Sequence, residues 1–140
     1  KHRMREEDAV FAGEVSGHYY FRDYFQADYG VIPFLLVLEL ISKRGKPLSE
    51  LLQPFRETYF LTGELNVPVG DVAVKLQELK ERFGKDGEVS HLDGISIEAE
   101  DWHMNVRPSN TEPLLRLNLE ALSPELMERK RDEVLEVIRN

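Results

Sequence analysis

Trp102, Met104 and Val106 alternate with His103, Asn105 and Arg107, and a few residues later Leu115, Leu117 and Leu119 alternate with Arg116, Asn118 and Glu120. A period of two sends successive side chains to opposite faces of an extended chain, so each run predicts a half-buried strand. The link between them, Pro108-Ser109-Asn110-Thr111-Glu112-Pro113, is short and polar and is presented at the junction of the two strands. Both apolar faces must be covered by something else in the chain.

The link with Arg107 at its start forms a concentrated donor set. Arg107 offers a planar fork suited to a phosphate, and Ser109, Asn110 and Thr111 add side-chain and backbone donors in succession. Pro108 and Pro113 fix φ at either end, and Asn110 tolerates the left-handed conformation that an anion-cradling turn often needs. Arg116 lies on the polar side of the adjoining strand, where it either supports the loop or pairs with Glu98 or Glu120. Two readings stand: an anion loop, or a solvated hairpin tip.

The net charge of -8 over 140 residues argues against nucleic acid or an anionic membrane as partner, since both are bound chiefly through excess Lys and Arg. Any anion site is then a local positive spot. Absence of cysteine removes disulfides, thiolate zinc sites and thiol nucleophiles, and fits a cytoplasmic setting. The apolar run from Val31 through Ile41 is well short of the roughly 20 residues that span a bilayer. The chain starts without methionine and moves at once toward a strand-like Val10-Phe11-Ala12, so it reads as a piece of a longer polypeptide.

Residues 1–28 predict a buried-looking strand over Ala9-Val10-Phe11-Ala12, then a loop and an aromatic cluster from Tyr19 to Phe25. From Tyr29 to Arg44 the pattern is helical and apolar almost all round, with Asp28 as the candidate N-cap, Pro33 in the first turn and Gly45 as the stop. Such a helix needs cover on several faces. Pro47 opens a further short helix that ends around Pro54 to Thr58. Beyond it, Leu65, Val67 and Val69 alternate as a strand, Asp71 caps a helix that Gly84 ends, and Asp93-Gly94 is a two-residue turn between Val89–Leu92 and Ile95–Glu98. Ser123-Pro124-Glu125 starts a closing helix with Met127, Val134 and Ile138 on one side. The fold class is therefore α+β. An antiparallel sheet with helices on one face (βαββββα, residues 61–140) follows the incomplete end of an α/β domain (residues 1–60).

Glu14, Ser16 and His18 are spaced two apart, so an extended segment would project them together as a polar comb suited to the vicinal diol of a sugar. The alternative is a glycine-flanked surface loop. The four histidines show no paired metal-ligand spacing, and no serine–histidine–acid arrangement stands out. These residues yield an anion loop and a polyol comb, with no catalytic group.

Gly13-Glu14-Val15-Ser16-Gly17-His18 resembles the sugar-binding loop of the α-D-phosphohexomutases, and Arg107-Pro108-Ser109-Asn110-Thr111-Glu112-Pro113 resembles that family's phosphate-binding loop. The run Glu14 to Phe21, and Asn110 where glucosamine-phosphate mutases typically carry glycine, are similar to the bacterial phosphomannomutase/phosphoglucomutase branch. The resemblance implies that Glu14 and Ser16 contact the sugar O3 and O4 with His18 nearby. It implies that Arg107, Ser109, Asn110 and Thr111 hold the non-reacting phosphate, with Arg116 in support. It further implies an enzyme that interconverts hexose 1- and 6-phosphates of mannose or glucose through a phosphoserine and a hexose 1,6-bisphosphate, with Mg2+. The phosphoserine and magnesium loops lie in N-terminal domains of the family that this chain lacks. The piece is therefore expected to be inactive alone and to bind no metal or bisphosphate cofactor by itself. Its apolar helix lacks partners within the chain, so the chain is also expected to self-associate through residues 1–58. A glucosamine-phosphate mutase and a free-standing sugar-phosphate module are the alternatives.

Overall fold

The computed structural model describes residues 2–14 and 16–140. The chain divides into two compact units, Lys1–Leu52 and Gln53–Asn140.

The first unit opens with helix α1 (His2–Glu6), which the sequence pattern does not predict. Strand β1 (Phe11–Gly13) pairs antiparallel with β2 (Tyr19–Phe21), Phe11 opposite Phe21 and Gly13 opposite Tyr19. The expectation of burial at this strand is corrected: Val10 and Phe11 are 59% and 50% exposed. A ribbon of two short strands covers little, and Phe11 packs on the rings of Tyr19 and Phe21 while its remaining surface faces solvent.

Helix α2 (Val31–Arg44) holds Pro33 in its first turn and ends as expected at Gly45, whose N–H bonds to the Ile41 carbonyl. Its N-cap is Gly30, not Asp28. The Asp28 carboxylate is turned to His18 and to the backbone N–H of Tyr19, and these partners leave it no role at the helix start. No residue of α2 is buried. A predicted single helix after Pro47 is instead α3 (Leu48–Leu51) and, opening the second unit, α4 (Gln53–Thr58). Pro54 has no N–H to give the Glu50 carbonyl, the bond that would have continued the first turn into the second.

In the second unit β3 (Phe60–Leu61) and β4 (Leu65–Pro68) both pair with β8 (Leu114–Ala121), β3 against its end and β4 against its beginning. Between them Thr62 exchanges hydrogen bonds with Leu119, its N–H donating at 2.9 Å and its hydroxyl accepting at 3.1 Å. Gly63, at φ +68, then breaks the strand and redirects the chain into Glu64. Helix α5 (Val72–Phe83) is capped as predicted, with Asp71 Oδ1 accepting from the N–H groups of Ala73 and Val74. The remaining strands are β5 (Glu88–Ser90), β6 (Ile95–Glu98) and β7 (Trp102–Pro108), and helix α6 (Pro124–Arg139) closes the chain. From β4 onward the order is βαββββα, and every pairing in the sheet β3-β8-β7-β6-β5 is antiparallel.

Parity decides which face is dry. Met104 opposes Leu119 and Val106 opposes Leu117, and all four are buried. The dry face is covered by Leu79 and Phe83 of α5 and by Val134 and Ile138 of α6, with Met127 partly buried beside them. The Phe83 ring meets Trp102 edge-on at 6.1 Å, and burying it contributes about 1.5–3 kcal/mol. The opposite face carries Ser96, His103, Asn105, Arg107, Arg116, Asn118 and Glu120, half-buried and open.

The Asp93-Gly94 turn is not the two-residue hairpin the pattern suggests. Ser90 opposes Ser96, and β5 ends at Ser90 while β6 begins at Ile95, so the connection is the four residues 91–94. Gly94 has φ +71 but Asp93 does not have positive φ, whereas a type I′ turn needs it at both central residues. Ile95 is drawn instead into the core opposite Val106, and Asn105 Nδ2 holds the Asp93 carbonyl at 2.8 Å. A Cβ at Gly94 would lie 2.2 Å from the Val106 carbonyl oxygen, so only glycine fits that approach.

Candidate functional site

The tight pairing of β7 and β8 carries through Pro108 and Leu115, and the Ser109 N–H closes the tip by donating to the Leu114 carbonyl at 3.0 Å. Ser109 is half-buried, whereas Asn110, Thr111, Glu112 and Pro113 are exposed. Within the tip the Ser109 and Thr111 hydroxyls lie 3.4 Å apart, and the Thr111 N–H points to Ser109 Oγ at the same distance. The loop is thus a small ring of hydroxyls and amides at the end of two strands. Asn110 does not have positive φ, so the turn forms without the left-handed conformation that its residue type tolerates.

Arg107 and Arg116 face one another directly across the strand pair. Glu64 sits with both: its Oε2 lies 3.2 Å from Arg107 Nη2 and its Oε1 3.3 Å from Arg116 Nη1. Asp93 Oδ2 is 3.7 Å from Arg107 Nη1. The expected partners of Arg116, Glu98 and Glu120, lie elsewhere. Both flank His103 in the register, four residues along β7 from Arg107, which is about 13 Å at the rise of a strand. Arg116 Nε is buried and has no hydrogen-bond partner among the described residues, although the side chain as a whole is about one-third exposed. The sequence pattern does not single out Glu64, yet it carries a signal: with Leu65 and Val67 facing inward, the same parity places residues 64 and 66 on the polar face.

The segment from Glu14 to His18 is a turn closing the β1–β2 hairpin, which corrects the extended comb. The Glu14 N–H donates to the His18 carbonyl, and the Gly17 N–H to the Glu14 carbonyl, each at 2.9 Å. Val15 lies outside the described residues. The turn nevertheless gathers the side chains. Ser16 Oγ donates to Glu14 Oε2 at 3.0 Å, and Tyr20 Oη donates to Glu14 Oε1 at 2.7 Å. His18 Nδ1 is 2.6 Å from Asp28 Oδ2, and the Tyr19 N–H donates to Asp28 Oδ1 at 3.2 Å. The hydrogen bond from Tyr20, then that from Ser16, holds the Glu14 carboxyl below its ordinary range. Glu14 and burial together push the Tyr20 phenol up to about 12. Sequence spacing does not place Tyr20 and Asp28 in this cluster, because both reach it only once the hairpin and the bridge between Tyr20 and Asp28 have formed.

Among the described residues, no group of three or more His, Asp and Glu side chains could hold a metal ion. No helix among them is long and apolar enough to cross a membrane.

An antiparallel α+β unit presenting a guanidinium-flanked hydroxyl loop, and a hairpin unit presenting a carboxylate–hydroxyl–imidazole turn, define the kind of chain this is. Residues 1–59 match the family described as phosphoglucomutase/phosphomannomutase, alpha/beta/alpha domain III, and residues 64–137 match the phosphoglucomutase/phosphomannomutase C-terminal domain. The chain belongs to the phosphoglucomutase/phosphomannomutase family. It is 39% identical to a phosphomannomutase of Salmonella montevideo, over 99% of this chain and 31% of that protein. To a protein of Xanthomonas campestris pv. campestris (strain B100) named phosphohexose mutases it is also 39% identical, over 99% of this chain and 32% of the other. A crystal structure of a phosphoglucomutase/phosphomannomutase family protein from Burkholderia thailandensis superposes with a TM-score of 0.76 at 30% identity, covering 99% of this chain and 30% of that one. The chain thus spans about a third of the length of the relatives it matches.

Proposed function

We infer that this chain supplies the sugar grip and the distal-phosphate grip of a phosphohexomutase that interconverts the 1- and 6-phosphates of mannose or glucose. Residues 1–60 are the end of its third domain and 61–140 its fourth. The observation that supports this most is the coincidence of family membership along the chain with two loops whose donors and acceptors suit a diol and a phosphate.

Glu14 accepts from two sugar hydroxyls through lone pairs that Ser16 and Tyr20 do not use. Ser16 adds an adaptable donor and acceptor, and His18, its ring fixed through Nδ1 by Asp28, borders the same turn. Arg107 gives the phosphate a charge-assisted fork, and Ser109, Asn110 and Thr111 complete the ring with Arg116 behind. The remaining two-thirds of such an enzyme carry the phosphoserine and the magnesium loop, and a hexose 1,6-bisphosphate passes between them and these grips. The setting is cytoplasmic sugar-phosphate metabolism.

The test is a chimera in which residues 1–140 replace the matching third of the Salmonella phosphomannomutase. Turnover of mannose 1-phosphate and glucose 1-phosphate is the expected result, with glucosamine 1-phosphate poorly used. Preference for the glucosamine substrate would transfer the assignment to a glucosamine-phosphate mutase. A folded chimera that binds sugar phosphates without turning any over would favour a binding module.

A further inference from the structure

Directly opposed like charges in an antiparallel pair destabilise it, and Arg107 and Arg116 are such a pair. The structure resolves the repulsion with one carboxylate. Glu64 gives one oxygen to each guanidinium, at 3.2 and 3.3 Å, from the point where Gly63 interrupts the edge strand. All three side chains are about one-third exposed, so a solute can reach the cluster. Two coplanar oxygens set against guanidinium donors are also what a phosphate brings to an arginine.

We propose that Glu64 is an internal placeholder for phosphate: it occupies Arg107 when no phosphate is bound, yields that arginine to an incoming phosphate, and stays on Arg116. The inference deepens, and rests on, the reading of Arg107 and Ser109–Thr111 as a phosphate grip. Glu64 touches Arg107 through a single Nη2 contact, so a phosphate making two parallel bonds offers the fork more than the carboxylate does. With Asp93 at 3.7 Å the two guanidinium charges face two carboxylates, and the empty site is electrically close to neutral. A phosphate must therefore compete for Arg107, and leaves it without stranding two adjacent cations. For an enzyme whose ligand has to release its distal phosphate between two transfers, this lowers affinity in exchange for faster release.

The 140-residue chain is titrated with inorganic phosphate while the Arg107 side-chain N–H resonances are followed by NMR, for wild type, Glu64→Gln, Glu64→Ala and Arg107→Ala. Removing the competing charge should tighten phosphate binding roughly 3- to 30-fold in both Glu64 variants, less at high salt, and should shift the Arg107 resonances before any phosphate is added. Unchanged or weaker binding in Glu64 variants that remain folded would make Glu64 a mere strut and overturn the placeholder. If Arg107→Ala bound phosphate as wild type does, or if neither wild type nor the Glu64 variants bound it at tens of millimolar, the phosphate-grip reading itself would fail. These two failures are distinguishable.

Discussion

Tyr20 donates its phenol hydrogen to Glu14 Oε1 at 2.7 Å, and the two groups shift each other's titration in opposite directions. The carboxyl lies below its ordinary 4.5, and the phenol rises from 10.0 to about 12. A lowered carboxyl contributes stability above its unfolded value and loses it as pH falls through the folded value. A raised phenol contributes below its unfolded value and loses the contribution as pH rises through about 12. The hydrogen bond therefore supports the hairpin across the whole neutral range and fails at both extremes. Tyr20 should ionise near pH 12 by tyrosinate absorbance. Both Tyr20→Phe and Glu14→Gln should remove that step, and a titration unchanged by either would disprove the coupling.

Glu14→Gln should also lower kcat/KM of the chimeric mutase while the variant remains folded. The amide keeps the shape of the side chain but replaces a two-site charged acceptor with a mixed donor and acceptor. Equal kcat/KM for mannose and glucose phosphates in variant and parent would remove the sugar grip from this turn.

Arg107→Lys should not restore what Arg107→Ala loses. An ammonium is a point charge on a flexible stem, whereas the guanidinium makes two parallel bonds to one phosphate. Losing one charge-assisted bond of about 1.5–3 kcal/mol weakens phosphate binding roughly 10- to 150-fold, which calorimetry or NMR titration can read. Near-parental affinity in the lysine variant would leave the loop as a solvated hairpin tip.

Helix α2 should drive association. Phe34 and Leu35 are 60% and 57% exposed on a helix with no buried residue, and apolar surface of that extent seeks cover. Sedimentation velocity should show concentration-dependent self-association that Phe34→Glu with Leu35→Glu abolishes. A monodisperse wild-type monomer at high concentration would refute this.

Leu117→Ala should destabilise the second unit by about 2–5 kcal/mol, since Leu117 is fully buried between Val106 and Leu65. By contrast Val10→Ala, at a side chain 59% exposed, should fall within about 0.5 kcal/mol. Urea unfolding of both variants compares the two values directly.

Alternation alone told which of Trp102–Arg107 and Leu115–Glu120 face inward, because the period of a strand is two whatever it pairs with. The Asp71 and Ser123 caps were equally legible, their partners lying only two or three residues away. The loop at 107–113 could be read as a cluster of donors for the same reason: its members are neighbours in the chain. What sequence could not decide was everything that depends on which segment lies beside which. Glu64 meets Arg107 and Arg116 only because β4 pairs with β8, a partner about 50 residues away. Asp28, a plausible helix cap by position, went to His18 because the hairpin brought the imidazole within 2.6 Å. The Asp93-Gly94 turn gave way once Ile95 was needed opposite Val106. Local propensities are worth tenths of a kcal/mol to about one, and burial of a single large apolar side chain is worth more, so strand partners and register are set by the core.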